Sequence, residues 1–558
     1  MKFDVCVIGS GAGAGPIIHE LSLAGLQVLV LEKGPFFKTE HFTKDEMVAT
    51  RRSVYTPNLK NERHVLVKKL KNGSWKEEST YNTGKSFWNG SAVGGSSNFM
   101  SAYFHRLKPI DFKLLTEFGP VEGANVSDWP ISYEELEPYY AKTENLVGVS
   151  GKVEQHQFQE PRSTPDFPYP PLAENVFSSW LDDSAKQLGY EIFPTPRGII
   201  SQKKDDRKAC FYSNYCGSYG CSSDAKGSSR AALINDALKT GNCTIIADAK
   251  VYHLETNGRG KITAAHYYKN NQKLNVTAST FVIAAQAIET SRLLLMSKNV
   301  EFPNGLANNS GQVGKNLLFS GGGMGSGQVY ADDVSEEDFK KITTDGLFVN
   351  RASQEWYVYK EEKTGKKLKG GTIDFVSEHA NGITKAIKLK YDGQRNLRYG
   401  SELKRTLHQY FTRQKKFTFE IFNDWMPTDD CRVELDEKVT DKWGDPVAKV
   451  YLGYHEHDLK VGRFLAEKAE NLFKKAGLKN VRSSISGGAS SNLQAGGCRF
   501  GNDPKTSVLD KNCKAHEVEN LYITDGSFMP TGGSVTYTFT IYANSFRVAE
   551  VIKKEMGK

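Results

Sequence analysis

The first 34 residues, MKFDVCVIGSGAGAGPIIHELSLAGLQVLVLEKG, constrain the fold more than any other stretch. Val5 to Ile8 is a short apolar run without polar alternation, as a strand buried on both faces requires. It runs into Gly9-Ser-Gly11-Ala-Gly13-Ala14, a G-x-G-x-x-A turn. The next segment reads as a helix, with Pro16 tolerable only in its first turn and an end near Gly25. Gln27 to Leu31 forms a second strand, and Glu32 closes it. Strand, glycine turn, helix, strand and acid in that order predict a dinucleotide site. Gly9 makes the tight turn, Gly11 admits the backbone close to a pyrophosphate, and Ala14 lets the helix pack close on the strand. The helix N-terminus turns its N–H groups toward the phosphates. Glu32 stands where a carboxylate accepts from both ribose hydroxyls of an adenosine. An acid there disfavours a bound 2′-phosphate, which leaves FAD or NAD(H) rather than NADP(H).

A chain of 558 residues exceeds one ordinary core, so two or more domains are expected. No segment has the apolar length that crosses a bilayer. Strand begins by residue 3, which leaves no room for a signal peptide; the expectation is a cytoplasmic protein, or a periplasmic one co-exported with a signal-bearing partner. The net charge of +8 is spread widely, and its densest runs, Lys360–Lys369 and Arg413–Lys416, read as solvated faces. Nucleic-acid binding is therefore not expected.

Further along, Trp88 to Met100 is a glycine- and serine-rich loop full of backbone donors, suited to lie against a phosphate or a flat heteroaromatic ring. Ser132 and Glu135 form a capping box that opens an amphipathic helix. Pro161 to Pro171 holds five prolines and predicts an extended connector. Lys250–Glu255 and His266–Tyr268 read as strands, and Phe281–Thr290 as another buried strand running into a helix. Residues 331–422 change character, with alternating runs such as Phe417-Thr-Phe-Glu-Ile-Phe422 that suggest a separate sheet. Val461, Leu465, Ala469 and Leu472 make a helical apolar stripe, the mark of core packing. Asn520 to Gly526 is a strand ending in Asp525, so the nucleotide domain draws on both ends of the chain and its middle.

These motifs, in this order, resemble the glucose–methanol–choline (GMC) family of FAD oxidoreductases, nearest to the catalytic subunits of bacterial sugar and polyol dehydrogenases. The carriers are GSGAGA, AVGGSSN, DWPISYEELEPYY, PRSTPDFPYPPL, AAQAIETSRLLLMS and NLYITDGSFMPTGGSVTYTFTIYANSFRVAE. Only about residues 331–415 fall outside the resemblance. It implies an α/β (α+β) fold: a doubly wound, Rossmann-like FAD-binding domain with an antiparallel-sheet substrate domain as lid. The expected division is 1–310 for the FAD domain, with a cysteine-containing loop at about 205–225, then 311–480 for the lid and 481–558 for the return that completes the active site. It also implies that Gly9, Gly11 and Ala14 serve the pyrophosphate and Glu32 the adenosine ribose. Ala92, Gly94 and Asn98 would lie along the flavin, Val251 near the adenine, and Asp525 near the ribityl-phosphate end.

The chain departs from that pattern at the reacting end. Family members carry a histidine at the head of an H-x-x-G-T-C-R-M-G stretch, as general base on the substrate hydroxyl. Gly496-Gly-Cys-Arg-Phe-Gly501 matches the tail, so the base falls on Leu493 and its partner on Thr536. Leucine moves no proton, and neither does Gln494 one residue on. Ser490, Ser491 and Asn492 are the other side chains near that register. His105, after the flavin loop, and His379, in the lid segment, are alternative acceptors. A milder departure is Gln286, where a glycine is common.

Cys210, Cys216 and Cys221 have spacing C-x5-C-x4-C. Related sugar dehydrogenases hold an iron–sulfur cluster here, and three thiolates on a turn-rich loop would suit a three-iron [3Fe-4S] cluster. The leading expectation is an FAD-dependent dehydrogenase acting on the CH–OH of a sugar, polyol or related cyclic alcohol. It would work with a small subunit and an electron-accepting subunit, using an acceptor other than oxygen. The alternatives are a flavoenzyme of desaturation or redox-neutral rearrangement, and a silent FAD-bearing partner subunit.

Overall fold

The computed structural model describes residues 3–47, 54–87, 89–258, 260–344, 348–487 and 493–558. Trp88 and the trio Ser490, Ser491 and Asn492 lie outside the described residues. A parallel five-stranded sheet carries the opening motif. Its order is Leu521–Ile523, Ala278–Ile283, Phe3–Ile8, Val28–Leu31, Cys243–Ile246. The first strand sits at its centre, with Val5 opposite Thr280 on one side and Val28 on the other. Val5, Cys6 and Val7 are wholly buried, which explains their lack of polar alternation.

Helix Gly15–Leu23 follows the glycine turn, with proline in its first turn. Close packing is enforced around it. A Cβ on Gly15 would stand 2.5 Å from Ser229 Oγ, and one on Gly13 would stand 2.4 Å from the Thr524 carbonyl oxygen. The Gly13 carbonyl accepts from the hydroxyls of Thr524, at 2.7 Å, and Ser545, at 2.6 Å. Ser545 belongs to the long helix Thr538–Glu555, which packs along helix Gly15–Leu23.

A second, six-stranded sheet is antiparallel. Its order is Lys479–Ile485, Gly323–Tyr330, Gln414–Asn423, Gly371–Ser377, Arg351–Ser353, Phe193–Pro194. Helix Glu456–Lys475 lies on one face through Val461, Leu465, Ala469 and Leu472, which meet Phe417, Phe419 and Ile421 in one core. Each of these side chains larger than alanine contributes on the order of 1.5–3 kcal/mol by leaving water. The alternation of Phe417-Thr-Phe-Glu-Ile-Phe422 thus has a direct consequence. Its odd positions point into this core, and Thr418, Glu420 and Phe422 point the other way, toward the parallel sheet.

The two halves are tied by a buried charge cluster. Lys369 Nζ reaches Asp111 at 2.5 Å, Asp424 at 3.0 Å and Ser534 Oγ at 2.8 Å, while the Tyr357 hydroxyl donates to Asp111 at 2.6 Å. Among the described residues no helix is long and apolar enough to cross a membrane.

Candidate functional site

A cavity of about 520 Å³ runs between the two sheets. Gly9, Ser10, Gly11, Glu32 and Asp525 line it at the ends of the parallel strands, and Val251 lines it from the antiparallel strand Lys250–Thr256. Met324, Glu420 and Phe422 line it from the antiparallel sheet, and Leu493, Thr536, His379 and Tyr103 complete the wall there.

The glycine turn is built for a bound group. Gly9 has φ +92°, and a Cβ there would lie 2.4 Å from the Ala284 carbonyl oxygen, so only glycine makes this turn. A Cβ on Gly11, by contrast, would meet nothing within 4 Å; it would project into the cavity. Glu32 accepts from Ser10 Oγ at 2.5 Å and from the Gly34 N–H at 2.8 Å, and burial holds its carboxyl above the usual range. Ser10 in turn accepts from the Gly94 N–H at 3.0 Å, which couples the acid to the second glycine loop. Asp525 accepts from Thr290 Oγ1 at 2.5 Å and from the N–H groups of Ser527, at 2.9 Å, and Gln286, at 3.1 Å. Burial raises its carboxyl as well. A cradle with an open side at Gly11, a helix N-terminus beside it and the Glu32 carboxyl in the cavity wall fits FAD.

Other expected residues stand behind the wall. Ala14, Ala92, Gly94 and Asn98 are buried and do not line the cavity; on the second loop Asn89–Ser91 and Gly95–Ser97 do. Asn98 spends its amide on the Val93 and Gly95 carbonyls, at 3.0 and 3.1 Å, and so shapes the loop. Gln286 has φ +82°, the reason a glycine suits the position, and its side chain caps helix Ala287–Met296 through the Ile288 N–H at 3.0 Å.

At the reacting end, Leu493 faces the cavity with φ +58°, a left-handed conformation unusual for a bulky side chain. Thr536 donates its hydroxyl to the Tyr103 carbonyl at 2.5 Å. His105 does not line the cavity. It is buried, with Nε2 3.1 Å from both oxygens of Asp374, and that contact holds it against the antiparallel sheet. His379 does line the cavity, beside Gly217, just past strand Gly371–Ser377. A side chamber of about 170 Å³ continues from here, lined by Arg197, Cys216, His379, Thr418 and Glu420 among others.

Glu420 was not singled out by its sequence. Burial, then the neighbouring Asp374 carboxylate, pushes its carboxyl up to about 7, against the pull of Arg197. The signal that could have found it is the strand alternation, which turns Glu420 away from the aromatic core.

The three cysteines come together, but not as a metal site. Among the described residues, no group of three His, Cys, Asp or Glu side chains is placed to hold a metal ion. Cys210, Cys216 and Cys221 line a small cavity of about 30 Å³ with Lys44 and Lys226. Lys226 Nζ donates to the carbonyls of Tyr219, at 2.8 Å, and Cys216, at 3.1 Å. Burial pushes the Cys210 thiol up to about 12, whereas at Cys221 burial is outweighed by Lys226 and Ser223 and the thiol is held below its usual value. The expected iron–sulfur cluster therefore finds no support here: the three thiols are not placed together as a ligand set among the described residues.

Comparison with known proteins agrees with the fold and the cradle. Residues 171–319 and 427–545 match the GMC oxidoreductase family. The chain is 28% identical to the 6'''-hydroxyparomomycin C oxidase of Streptomyces lividus, over all of this chain and 92% of that protein. It is 27% identical to the fructose dehydrogenase large subunit of Gluconobacter japonicus, over all of this chain and 98% of that one. The 2-methyl-1,2-propanediol dehydrogenase of Mycolicibacterium austroafricanum is also 27% identical, over 99% of this chain and 96% of that one. Among solved structures, a variant of the formate oxidase of Aspergillus oryzae RIB40 superposes with a TM-score of 0.66 at 14% identity, over 100% of this chain and 99% of that one. Pyridoxine 4-oxidase from Mesorbium loti superposes with a TM-score of 0.61 at 14% identity, over 99% of each chain. With both of its family segments matched and relatives aligned end to end, this chain belongs to the GMC oxidoreductase family and is an FAD-dependent oxidoreductase.

Proposed function

We propose that this protein oxidises a CH–OH group of a sugar, polyol or related cyclic alcohol, amino sugars included, and passes the electrons to an acceptor other than oxygen. The observation that carries the reading is the continuity of one cavity from the Gly11 cradle to a wall that mixes apolar and hydrogen-bonding groups: Leu493, Tyr103, Phe422, Thr536 and Glu420. Relatives named for fructose, a diol and an aminoglycoside support the substrate class. Gly9–Gly13, Glu32, Val251 and Asp525 would hold FAD, which when bound supplies a two-electron oxidant. The protein's own groups orient the alcohol and exclude water: Thr536 is fixed on the Tyr103 carbonyl, and Phe422 packs against Tyr103 with ring centroids 6.0 Å apart. As with the fructose dehydrogenase large subunit, whose name implies companion subunits, a partner that carries electrons away is part of this reading.

Anaerobic mixing of flavin-loaded protein with a panel of sugars, polyols and amino sugars tests it. Bleaching of the flavin by one of these classes, with slow reoxidation by oxygen and fast reoxidation by an artificial acceptor, is expected. Bleaching by none of them refutes the reading. Leu493 in place of a base favours a second reading, a desaturation or redox-neutral rearrangement; bleaching by activated carbonyl compounds alone would select it.

A further inference from the structure

We propose that Glu420, on the cavity face of strand Gln414–Asn423, takes the substrate's hydroxyl proton in this chain and does the work that Leu493 leaves undone. The inference rests on the alcohol oxidation proposed above.

The placement follows from the strand. Phe417, Phe419 and Ile421 are buried in the core under helix Glu456–Lys475, so Glu420 between them is turned into the cavity. Its backbone is fixed on both sides, opposite Met324 on one neighbouring strand and Asp374 on the other. Glu420 and Tyr103 line the same wall, and the Tyr103 carbonyl holds Thr536, the position of the family's second residue. Glu420 therefore lines the same cavity as both substituted positions.

The charged groups around it are already engaged. Asp374 takes His105, at 3.1 Å, and the Thr195 hydroxyl, at 3.0 Å. Arg197 lies over the Tyr103 ring at 4.3 Å and the Phe348 ring at 4.7 Å, and donates to Asn350 Oδ1 at 3.2 Å and the Ser101 carbonyl at 3.0 Å. Glu378, farther along the side chamber, is paired with Lys385 at 3.0 Å and Lys416 at 3.4 Å and accepts from the Tyr410 hydroxyl at 2.6 Å. The Glu420 carboxylate alone faces the cavity with no side-chain hydrogen bond or ion pair among the described residues. His379 lies past the end of its strand, against Gly217 and the cysteine loop.

The chemistry balances with Glu420 as acceptor. The alcohol O–H bond breaks and its proton makes the carboxylate a carboxylic acid. The oxygen's electron pair forms the carbonyl π bond as the C–H bond departs as hydride, two electrons with one proton, to the two-electron oxidant FAD. The Glu420 proton then returns to solvent. A carboxyl displaced upward as far as this one is a stronger base than an ordinary glutamate and half-ionised near neutral pH, so the rate should rise with pH through that region.

Infrared difference spectra of FAD-free protein carrying ¹³C-labelled glutamate provide a readout independent of turnover. The carboxylic-acid band lost in Glu420→Gln should titrate with a midpoint of about 7; a midpoint in the ordinary glutamate range, near about 4, overturns the proposal. In flavin-loaded protein, Glu420→Gln should retain flavin and lower kcat by about 10²- to 10⁴-fold. KM should move little, and the rise of kcat/KM with pH should vanish. Unchanged kcat with the same pH rise overturns it. Should Glu420→Gln load no flavin, Glu420→Asp takes its place, with the pH rise kept and kcat reduced; full activity in that variant counts against the proposal. Loss of the pH rise in His379→Gln would move the role to His379. Failure of the oxidation reading looks different: the wild-type flavin stays unbleached by every alcohol, which removes the proton-transfer role whatever the infrared titration shows.

Discussion

Two glycines, two residues apart, should respond in opposite ways to the same added methyl. At Gly9 the methyl would lie 2.4 Å from the Ala284 carbonyl oxygen, on a backbone with φ +92°. Overpacking of that kind costs about 1–3 kcal/mol, and left-handed backbone about 1–2 kcal/mol more for an L-residue. Gly9→Ala is therefore expected to lower the stability of FAD-free protein by about 2–5 kcal/mol. At Gly11 the methyl meets nothing within 4 Å, and the backbone is not in the left-handed region. Gly11→Ala should leave FAD-free protein as stable as wild type, or raise its stability by about 0.4–1 kcal/mol through the unfolded chain. The same methyl stands in the cradle, so FAD affinity should fall about 10- to 100-fold, about 1.4–2.8 kcal/mol. Denaturant titration of FAD-free protein gives the first quantity, and quenching of flavin fluorescence gives the second. A Gly11→Ala protein that binds FAD as wild type does, or that unfolds as readily as Gly9→Ala, would show that the open side at Gly11 is not where the pyrophosphate lies.

Three further outcomes are expected. In a Glu420→Gln background, Leu493→His alone should restore little, because the Thr536 hydroxyl is committed to the Tyr103 carbonyl; Leu493→His with Thr536→Asn should recover about tenfold or more of the rate a general base supplies. Equal rates in the single and double variants would refute the placement of the pair. Glu20 is held down to about 2: burial raises it, but His19, Lys142 and Lys553 together outweigh that. Its contribution is thus full above about 4.5 and lost as pH falls from there toward about 2, worth at most about 3 kcal/mol, so acid unfolding should flatten over that window in Glu20→Gln. Lys369→Met strands Asp111 and Asp424 without their cation and should cost about 3–5 kcal/mol in denaturant titration; a loss under about 1 kcal/mol would mean the carboxylates are hydrated or protonated at little cost.

What could be read in advance was local. Gly9, Gly11 and Glu32 lie within one strand–turn–helix–strand unit, whose geometry follows from spacing alone. Glu420 was hidden because its meaning depends on which face of a strand is buried, and that is decided by helix Glu456–Lys475 some forty residues on. His105 could not be assigned for a similar reason, since its partner Asp374 lies 269 residues away. The cysteine spacing was legible, but Lys44, more than 160 residues earlier, was not, although it lines the same small cavity as the three thiols. Leu493 was readable only through the Gly496–Gly501 tail beside it.

The tethering of the Gly13 carbonyl by Thr524 and Ser545 bears on how the protein is made. The first strand emerges from the ribosome early, yet its neighbour strand Ala278–Ile283 and the hydroxyls that set its glycine turn emerge some 270 to 540 residues later. Contacts of such separation form late and slowly. The nascent chain therefore carries its glycine turn unfinished for most of synthesis, and flavin capture becomes a signal that translation has passed residue 545. Chains that stall before that point should stay colourless and be open to proteolysis, so a lysate's flavin-bound fraction reports completed polypeptide rather than total polypeptide.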